Sequence, residues 1–320
     1  MLQMGNFRKK WYILLTNFRK SAIIPHIIYI QFKAIKLAHN ILSKNQLCPN
    51  VYMADIEAPL IAAAAKPGQF VIVCLFGGYS ERIPLTIAGS DPKKGTIRLI
   101  WQAVGKSTAE LGNLNVGDKV ENILGPLGKP THVEKFGTVV CVGGGIGSAP
   151  LLPIATAMKK AGNKVVSILG ARTKELLILE KDFKAISDEL IVVTDDGSYG
   201  KKALVTQPLE EVCQRTPKPD LAVAIGPAIM MKFCCATTKK YDVPTVVSLN
   251  TIMIDGTGMC GGCRVDVGGQ TKFVCVDGPE FDGHLVNFDL MMKRMQAYKK
   301  QEAQAMEEYK KHKCKIGLDK

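Results

Sequence analysis

The sequence predicts a β plus α/β protein: an antiparallel barrel, then a doubly wound parallel sheet, then a small cysteine-bearing module at the C-terminal end. Three observations carry this. Short apolar or alternating runs punctuated by proline and glycine fill residues 38–136, as in a small antiparallel barrel. From Gly137 onward, continuous apolar runs alternate with helix-length segments, the pattern of a buried parallel sheet with crossover helices. Asp255, Cys260, Cys263 and Cys275 then stand in a glycine-rich stretch at a D-x₄-C-x₂-C-x₁₁-C spacing. The expected boundaries are 1–37 for an unassigned basic extension, 38–136 for the barrel, 137–247 for the parallel sheet, 248–288 for the cysteine module and 289–320 for a basic C-terminal helix.

In the barrel region, Ile41–Ser43, Val51–Ile56, Gln69–Phe76, Ile83–Ala88, Thr96–Val104 and Lys119–Ile123 read as strands. Pro49, Pro59 and Pro67–Gly68 punctuate them. Thr108–Leu114 is the one expected helix there. Beyond Gly137, strands are expected at Thr138–Val142, Lys164–Gly170, Leu190–Thr194 and Leu221–Ile225. The helices between them are expected at Ala149–Ala161, around Lys181–Ala185, at Thr206–Gln214 and at Ala228–Lys240. From Val286 a helix is expected to run through the Lys/Glu-rich tail.

Composition bounds the function. A chain of 320 residues with 47% hydrophobic content holds two or three domains with real cores. The net charge of +13 suggests nucleic acid, but its distribution argues otherwise. Residues 1–54 lack Asp and Glu and carry Arg8, Lys9, Lys10, Arg19, Lys20, Lys33, Lys36 and Lys44, and the tail adds more lysines. The middle of the chain is nearly balanced, and no base-stacking aromatic pattern accompanies the basic residues. No apolar run among the first forty residues approaches the roughly 20 that a membrane span needs. Ten scattered cysteines without an export signal fit a reducing compartment, here the cytoplasm. The acid-free basic start also fits an organellar transit segment.

The cysteine module carries the most chemistry. The plant-type [2Fe–2S] spacing is C-x₄-C-x₂-C…C, and Asp255 takes the first position here. Gly256, Gly258, Gly261 and Gly262 suit a loop that turns several ligands inward and lets backbone N–H groups approach sulfur. A closed Cys₃Asp zinc site and three unrelated buried cysteines are the competing readings.

Other segments suit nucleotides. Arg82 precedes Ile83-Pro84-Leu85-Thr86, where an arginine at a strand start can clamp a pyrophosphate and the Thr86 hydroxyl can meet a flavin ring atom. Gly105, Ser107 and Thr108 open a helix whose N–H groups make an anion site, although an ordinary N-cap uses the same residues. Gly143, Gly144, Gly145, Gly147 and Ser148 follow a strand and open a helix, the setting of a dinucleotide turn, with a spacing unlike strict G-x-G-x-x-G. The Asp195–Gly200 loop, with Asp196, and Gly226–Pro227 also follow strands, where open α/β sheets bind ligands. The five histidines make no cluster in sequence, and His284 reads as a surface residue.

Taken in order, Arg82–Thr86, Gly143–Pro150, Asp195–Gly200, Gly226–Pro227 and the Asp255–Cys275 loop resemble the ferredoxin-reductase-like electron-transfer flavoproteins. Within them, the chain is similar to the dihydroorotate dehydrogenase electron-transfer subunit family over roughly residues 38–290. The resemblance implies FAD on Arg82, Thr86 and Gly105–Thr108, NAD(H) on the Gly-rich turn and Gly226, and a [2Fe–2S] cluster on Asp255, Cys260, Cys263 and Cys275. Asp255 in place of a fourth Cys points to the branch that includes small subunits of NADH-dependent reduced ferredoxin:NADP oxidoreductases. That branch implies a heterodimer with a larger flavin and iron–sulfur subunit, reaching ferredoxin indirectly. Residues 1–37 match nothing in the family.

Overall fold

Alternation builds the first half of the protein, and a computed structural model describes residues 39–75 and 81–318. The expected extension, 1–37, lies outside the described residues. Seven strands form one antiparallel sheet: β1 (His39–Cys48), β2 (Val51–Glu57), β3 (Phe70–Cys74), β4 (Ile83–Asp91), β5 (Thr96–Gln102), β6 (Lys119–Val120) and β7 (Asn122–Leu127). Their order is β6-β1-β2-β5-β4-β3-β7. The edge strands β6 and β7 are consecutive pieces of one segment, so the chain itself nearly closes the barrel. Ile41, Ile56, Val71, Val73, Leu85, Leu99 and Trp101 fill the interior.

Two helices accompany the barrel, not one. Beside α2 (Lys106–Asn113) stands α1 (Pro59–Ala64), which buries Ile61 and Ala62. Pro59 reads as turn punctuation, yet it occupies the first helical turn, where its missing N–H costs nothing. β1 is also longer than its short apolar run suggested, because pairing with β2 extends it through polar residues. The Trp101 indole N–H donates to the Thr108 carbonyl at 3.2 Å, tying α2 to the barrel core.

The second half is a mixed seven-stranded sheet. β8 (Thr138–Gly144), β9 (Lys164–Ala171), β10 (Glu189–Thr194), β11 (Lys201–Lys202), β12 (Leu221–Ile225) and β13 (Thr245–Ser248) run parallel, in the order β11-β10-β9-β8-β12-β13. Helices α3 (Ser148–Lys160), α4 (Glu180–Ile186), α5 (Thr206–Cys213) and α6 (Ala228–Lys239) connect them. β8 and β9 are almost wholly buried, which explains their unbroken apolar runs. The strand order reverses between β8 and β12, and such a switch point opens a crevice at the strands' C-terminal ends.

The C-terminal module is a hairpin, β14 (Arg264–Val267) and β15 (Gln270–Phe273), then α7 (Val274–Asp277) and β16 (Glu280–Asp282). Gly268 and Gly269, with φ of +61° and +78°, make its two-residue turn. β16 pairs antiparallel with β13, so the module is sewn onto the parallel sheet. The expected single tail helix is two helices, α8 (Phe288–Arg294) and α9 (Lys299–Leu318). No helix among the described residues is long and apolar enough to cross a membrane.

The halves are joined at several places. Ile146 and Ala149, beside the Gly-rich turn, pack with Cys48, Val51, Ala88 and Ile100 of the barrel. Phe70 and Ile72 of β3 point away from the barrel interior and lie in one core with Cys263, Val265, Val274 and Cys275. The connecting segment is fixed by Asn163, 2% exposed. Its Oδ1 accepts from the Phe136 and Gly137 N–H groups at 2.8 and 3.0 Å, and its Nδ2 donates to the Glu134 and Met158 carbonyls, both at 2.8 Å. Asn163→Ala removes the partner of these partly buried backbone groups, so chemical denaturation should show a loss of about 2 kcal/mol; an unchanged denaturation midpoint would show that the connection does not depend on this side chain.

Candidate functional site

The first group of residues lines the outer face of the barrel. Along β4, Ile83, Leu85 and Ile87 point into the core, whereas Pro84 and Thr86 alternate to the other side. Pro84 stands opposite Ile72 and Thr86 opposite Phe70. Pro84 and Thr86 therefore share the face that packs toward the cysteine module. Leu85 belongs to the barrel core, so only its backbone can serve a ligand.

Arg82 is exposed at the entry to β4. Its neighbour Glu81 accepts a hydrogen bond from the Ser107 hydroxyl in the first turn of α2. This contact brings Arg82 and the α2 N-terminus together, and open space surrounds Gly105 at the cap. An arginine at a strand start next in sequence to a residue that touches a helix N-terminus is a setting that suits a pyrophosphate. The Thr108 hydroxyl is engaged otherwise: it accepts from the Val104 and Gly105 N–H groups, each at 3.1 Å, and closes the helix cap.

The second group forms the crevice at the β8/β12 switch point. The glycines of its turn have different jobs. A Cβ on Gly147 would stand 2.3 Å from the Ile225 carbonyl oxygen, and one on Gly144 would stand 2.2 Å from the Met230 sulfur. A Cβ on Gly143 would meet Ser148 Oγ at 2.8 Å, and one on Gly226 would meet Met230 Cε at 2.7 Å. Gly144, Gly147 and Gly226 let the ends of β8 and β12 close on each other, and Gly143 lets α3 pack close to β8. Gly145, with φ +54°, faces open space instead. It is the position where bare backbone is left available to a ligand.

Pro227 caps α6 beside this turn. Asp196 lies further along the same strand ends. Its carboxylate accepts from the Ser198 N–H at 2.9 Å and the Ser198 hydroxyl at 2.7 Å, which holds it below the usual carboxylate range.

The third group is the cysteine loop, and it resolves into two donor pairs. Cys260 Sγ donates to Asp255 Oδ1 at 2.9 Å, and Cys263 Sγ lies 3.3 Å from Cys275 Sγ. Asp255 also accepts from the Thr257 hydroxyl at 2.7 Å and the Met259 N–H at 2.8 Å. The Cys260 hydrogen bond, then Thr257 and Met259, hold its carboxyl well below the usual range. Burial, and next the Cys263 sulfur, raise the Cys275 thiol. Metal binding takes thiolates, so these thiol protons mark where a metal would replace them.

A mononuclear zinc site draws its ligands around one point. No three such donors gather that way among the described residues. Two pairs suit a two-iron cluster, which takes two protein ligands on each iron. Cys263 and Cys275 are buried while Cys260 is exposed, so one side of the loop faces outward. Gly256 lets the loop sit on the barrel, because a Cβ there would stand 2.8 Å from both Ile72 Cγ1 and Leu127 Cδ1.

Some site features were not visible in the sequence. Met230 reads as an ordinary helix residue, yet it covers Gly144 and Gly226. The roles of Phe70 and Ile72 are hidden in a strand buried on both faces. Ile254 and Met259, 50% and 87% exposed, flank the cysteine loop. His284 is not a free surface histidine: it is half-buried, with Nε2 3.0 Å from the Thr238 hydroxyl.

Comparison with known proteins shows the family. The model of the iron–sulfur cluster binding domain of dihydroorotate dehydrogenase B matches residues 250–287. An electron transfer subunit homolog of dihydroorotate dehydrogenase B (NAD(+)) from Thermotoga maritima is 47% identical over 273 residues, 85% of this chain and 96% of that protein. The electron transfer subunit of the same enzyme from Desulforamulus reducens is 35% identical over 249 residues, 75% of this chain and 94% of that one. A chain from the structure of the NADH-dependent reduced ferredoxin-NADP oxidoreductase, solved to understand flavin-based electron bifurcation, superposes with a TM-score of 0.80 at 46% identity, covering 85% of this chain and 97% of its own. At these identities and coverages, the chain belongs to the dihydroorotate dehydrogenase B electron-transfer subunit family.

Proposed function

We propose that the protein moves electrons between NAD(H), FAD and a [2Fe–2S] cluster as the small subunit of an NADH-dependent ferredoxin:NADP oxidoreductase. The observation that carries this is the pairing of Asp255 with Cys260 and of Cys263 with Cys275 in a loop seated on Ile72. FAD supplies hydride exchange with a nicotinamide on one side and single electrons to iron on the other.

The chain's own residues place these groups. Pro84 and Thr86 would meet the flavin ring, with Arg82 and the Gly105–Ser107 helix start on its pyrophosphate. Gly145 and the α3 N-terminus would hold the NAD(H) pyrophosphate, with Gly226 and Pro227 as the opposite wall. Asp255, Cys260, Cys263 and Cys275 would hold the cluster. No acid–base side chain is needed, since the redox chemistry belongs to the cofactors. The outward side of the loop, with Ile254 and Met259, would meet a larger flavin and iron–sulfur subunit, and ferredoxin would be reached through it. The matched cluster-domain family supports a second reading, an electron-transfer subunit of an NAD-dependent dihydroorotate dehydrogenase. Co-purification with mass-spectrometric identification of the partner separates the two.

The purified protein should carry one FAD, two irons and acid-labile sulfide per chain. One zinc without labile sulfide would sink the cluster assignment.

The crevice glycines should separate by role. Gly145→Val should raise the NADH Kd about tenfold or more, a cost of at least ~1.4 kcal/mol, and leave FAD in place. Gly147→Val should instead lower the melting temperature, because its side chain meets the Ile225–Gly226 backbone. Equal loss of FAD and NADH in a well-folded Gly145→Val protein would assign the turn to the wrong nucleotide.

At the cluster, Asp255→Cys should keep the iron and shift its visible and electron paramagnetic resonance (EPR) spectra, since a carboxylate is a harder ligand than a thiolate. Asp255→Ala should leave the cluster labile, and Cys263→Ala should abolish it. An Asp255→Ala protein with the native spectrum and potential would place the fourth ligand elsewhere.

A further inference from the structure

Two arginines next to the cysteine loop have no role in the proposed scheme. Arg294 ends α8, and Arg264 opens β14 directly after Cys263. The Arg294 guanidinium donates to the Gly262 carbonyl at 3.4 Å. Arg264 Nη1 lies 3.8 Å from where a Cβ on Gly261 would stand. Both cations therefore bear on Gly261-Gly262, the two residues between Cys260 and Cys263. The Gly262 carbonyl shares its peptide unit with the Cys263 N–H, and the Gly262 N–H points at Cys260 Sγ at 3.4 Å.

The placement is built rather than incidental. Phe288 and Met291 of α8 are buried in the same core as Cys263 and Cys275. Asn287 caps the helix by accepting from the Leu290 N–H at 3.1 Å, and its own N–H donates to the Asp266 carbonyl of β14 at 2.9 Å. Lys232 on α6 pairs with Asp289 at 2.6 Å. The last turn of α8 is thus delivered to a fixed position over the loop. Arginine ion pairs among the described residues are Arg98–Asp55 and Arg215–Glu189. Neither Arg264 nor Arg294 forms an ion pair with a carboxylate among the described residues, so neither guanidinium is tied up in a salt bridge.

We infer that Arg294, assisted by Arg264, raises the reduction potential of the [2Fe–2S] cluster. The inference rests on the cluster reading of residues 255–275. Reduction adds one negative charge to the cluster, and a fixed cation close by stabilises the reduced form more than the oxidised one. Charge and hydrogen bonding around the sulfurs are the protein's means of setting such potentials. Arg294 is a positioning residue here, acting through the Gly262 peptide and its own field.

The test is an EPR-monitored redox titration of the full-length protein with its cluster, for wild type, R294Q, R294K and R264Q. R294Q should move the midpoint potential to a more negative value, and R294K should stay near wild type because it keeps the charge. R264Q should shift in the same direction by less, since Arg264 is exposed and screened by salt. Wild-type potentials in both glutamine variants would overturn the inference, as would an R294K shift as large as that of R294Q. If R294Q does not retain iron, R264Q decides alone, and an unchanged potential in it overturns the inference. A wild-type protein without iron overturns the cluster reading, and this inference with it, at the metal analysis before any titration.

Discussion

The organisation of the protein depends on one strand having two buried faces. β3 sends Val71 and Val73 into the barrel and Phe70 and Ile72 outward into a core shared with the cysteine module and the parallel sheet. Burying side chains of this size contributes about 1.5–3 kcal/mol each. The outward face would be a hydrophobic liability on an isolated barrel. Here it makes the barrel and the cysteine module inseparable. Since Pro84 and Thr86 share that face, the same contact that stabilises the fold brings these two residues, the proposed flavin contacts, to the side that packs toward the cysteine loop.

The Gly-rich turn works under a matching constraint. Its apolar neighbours Ile146 and Ala149 pack on the barrel, while Gly144 and Gly147 close against the end of β12 and Met230. The turn is clamped from both sides, leaving Gly145 open. Electron transfer through bound cofactors asks the protein mainly for placement and tuning. Clamping of this kind provides the first, and the two arginines beside the cysteine loop, free of salt bridges among the described residues, are the proposed source of the second.

Much of this was legible because it is local. The strand–turn–helix setting of Gly143–Ser148 is written in consecutive residues, and so is the Asp255–Cys275 spacing. The parallel strands showed as apolar runs because burial on both faces removes alternation. The misses were also physical. Pro59 marks a turn as readily as a first helical turn. The polar stretch of β1 is extended by pairing rather than propensity. His284 reads as exposed until α6 and β16 come together around it. Thr108 reads equally as a ligand residue and as part of an ordinary helix cap, and in the structure its hydroxyl closes the cap of α2.

By itself, then, the sequence determined the fold class, the four candidate donor residues and the candidate turns, since backbone connectivity imposes those spacings. Only the tertiary structure decided how the candidate donors pair, which glycine of the turn faces open space and which face of β4 looks toward the cysteine module. Those answers depend on packing between residues far apart in the chain, such as Ile72 with Gly256 and Gly262 with Arg294, and no local pattern encodes which of several buried surfaces will meet.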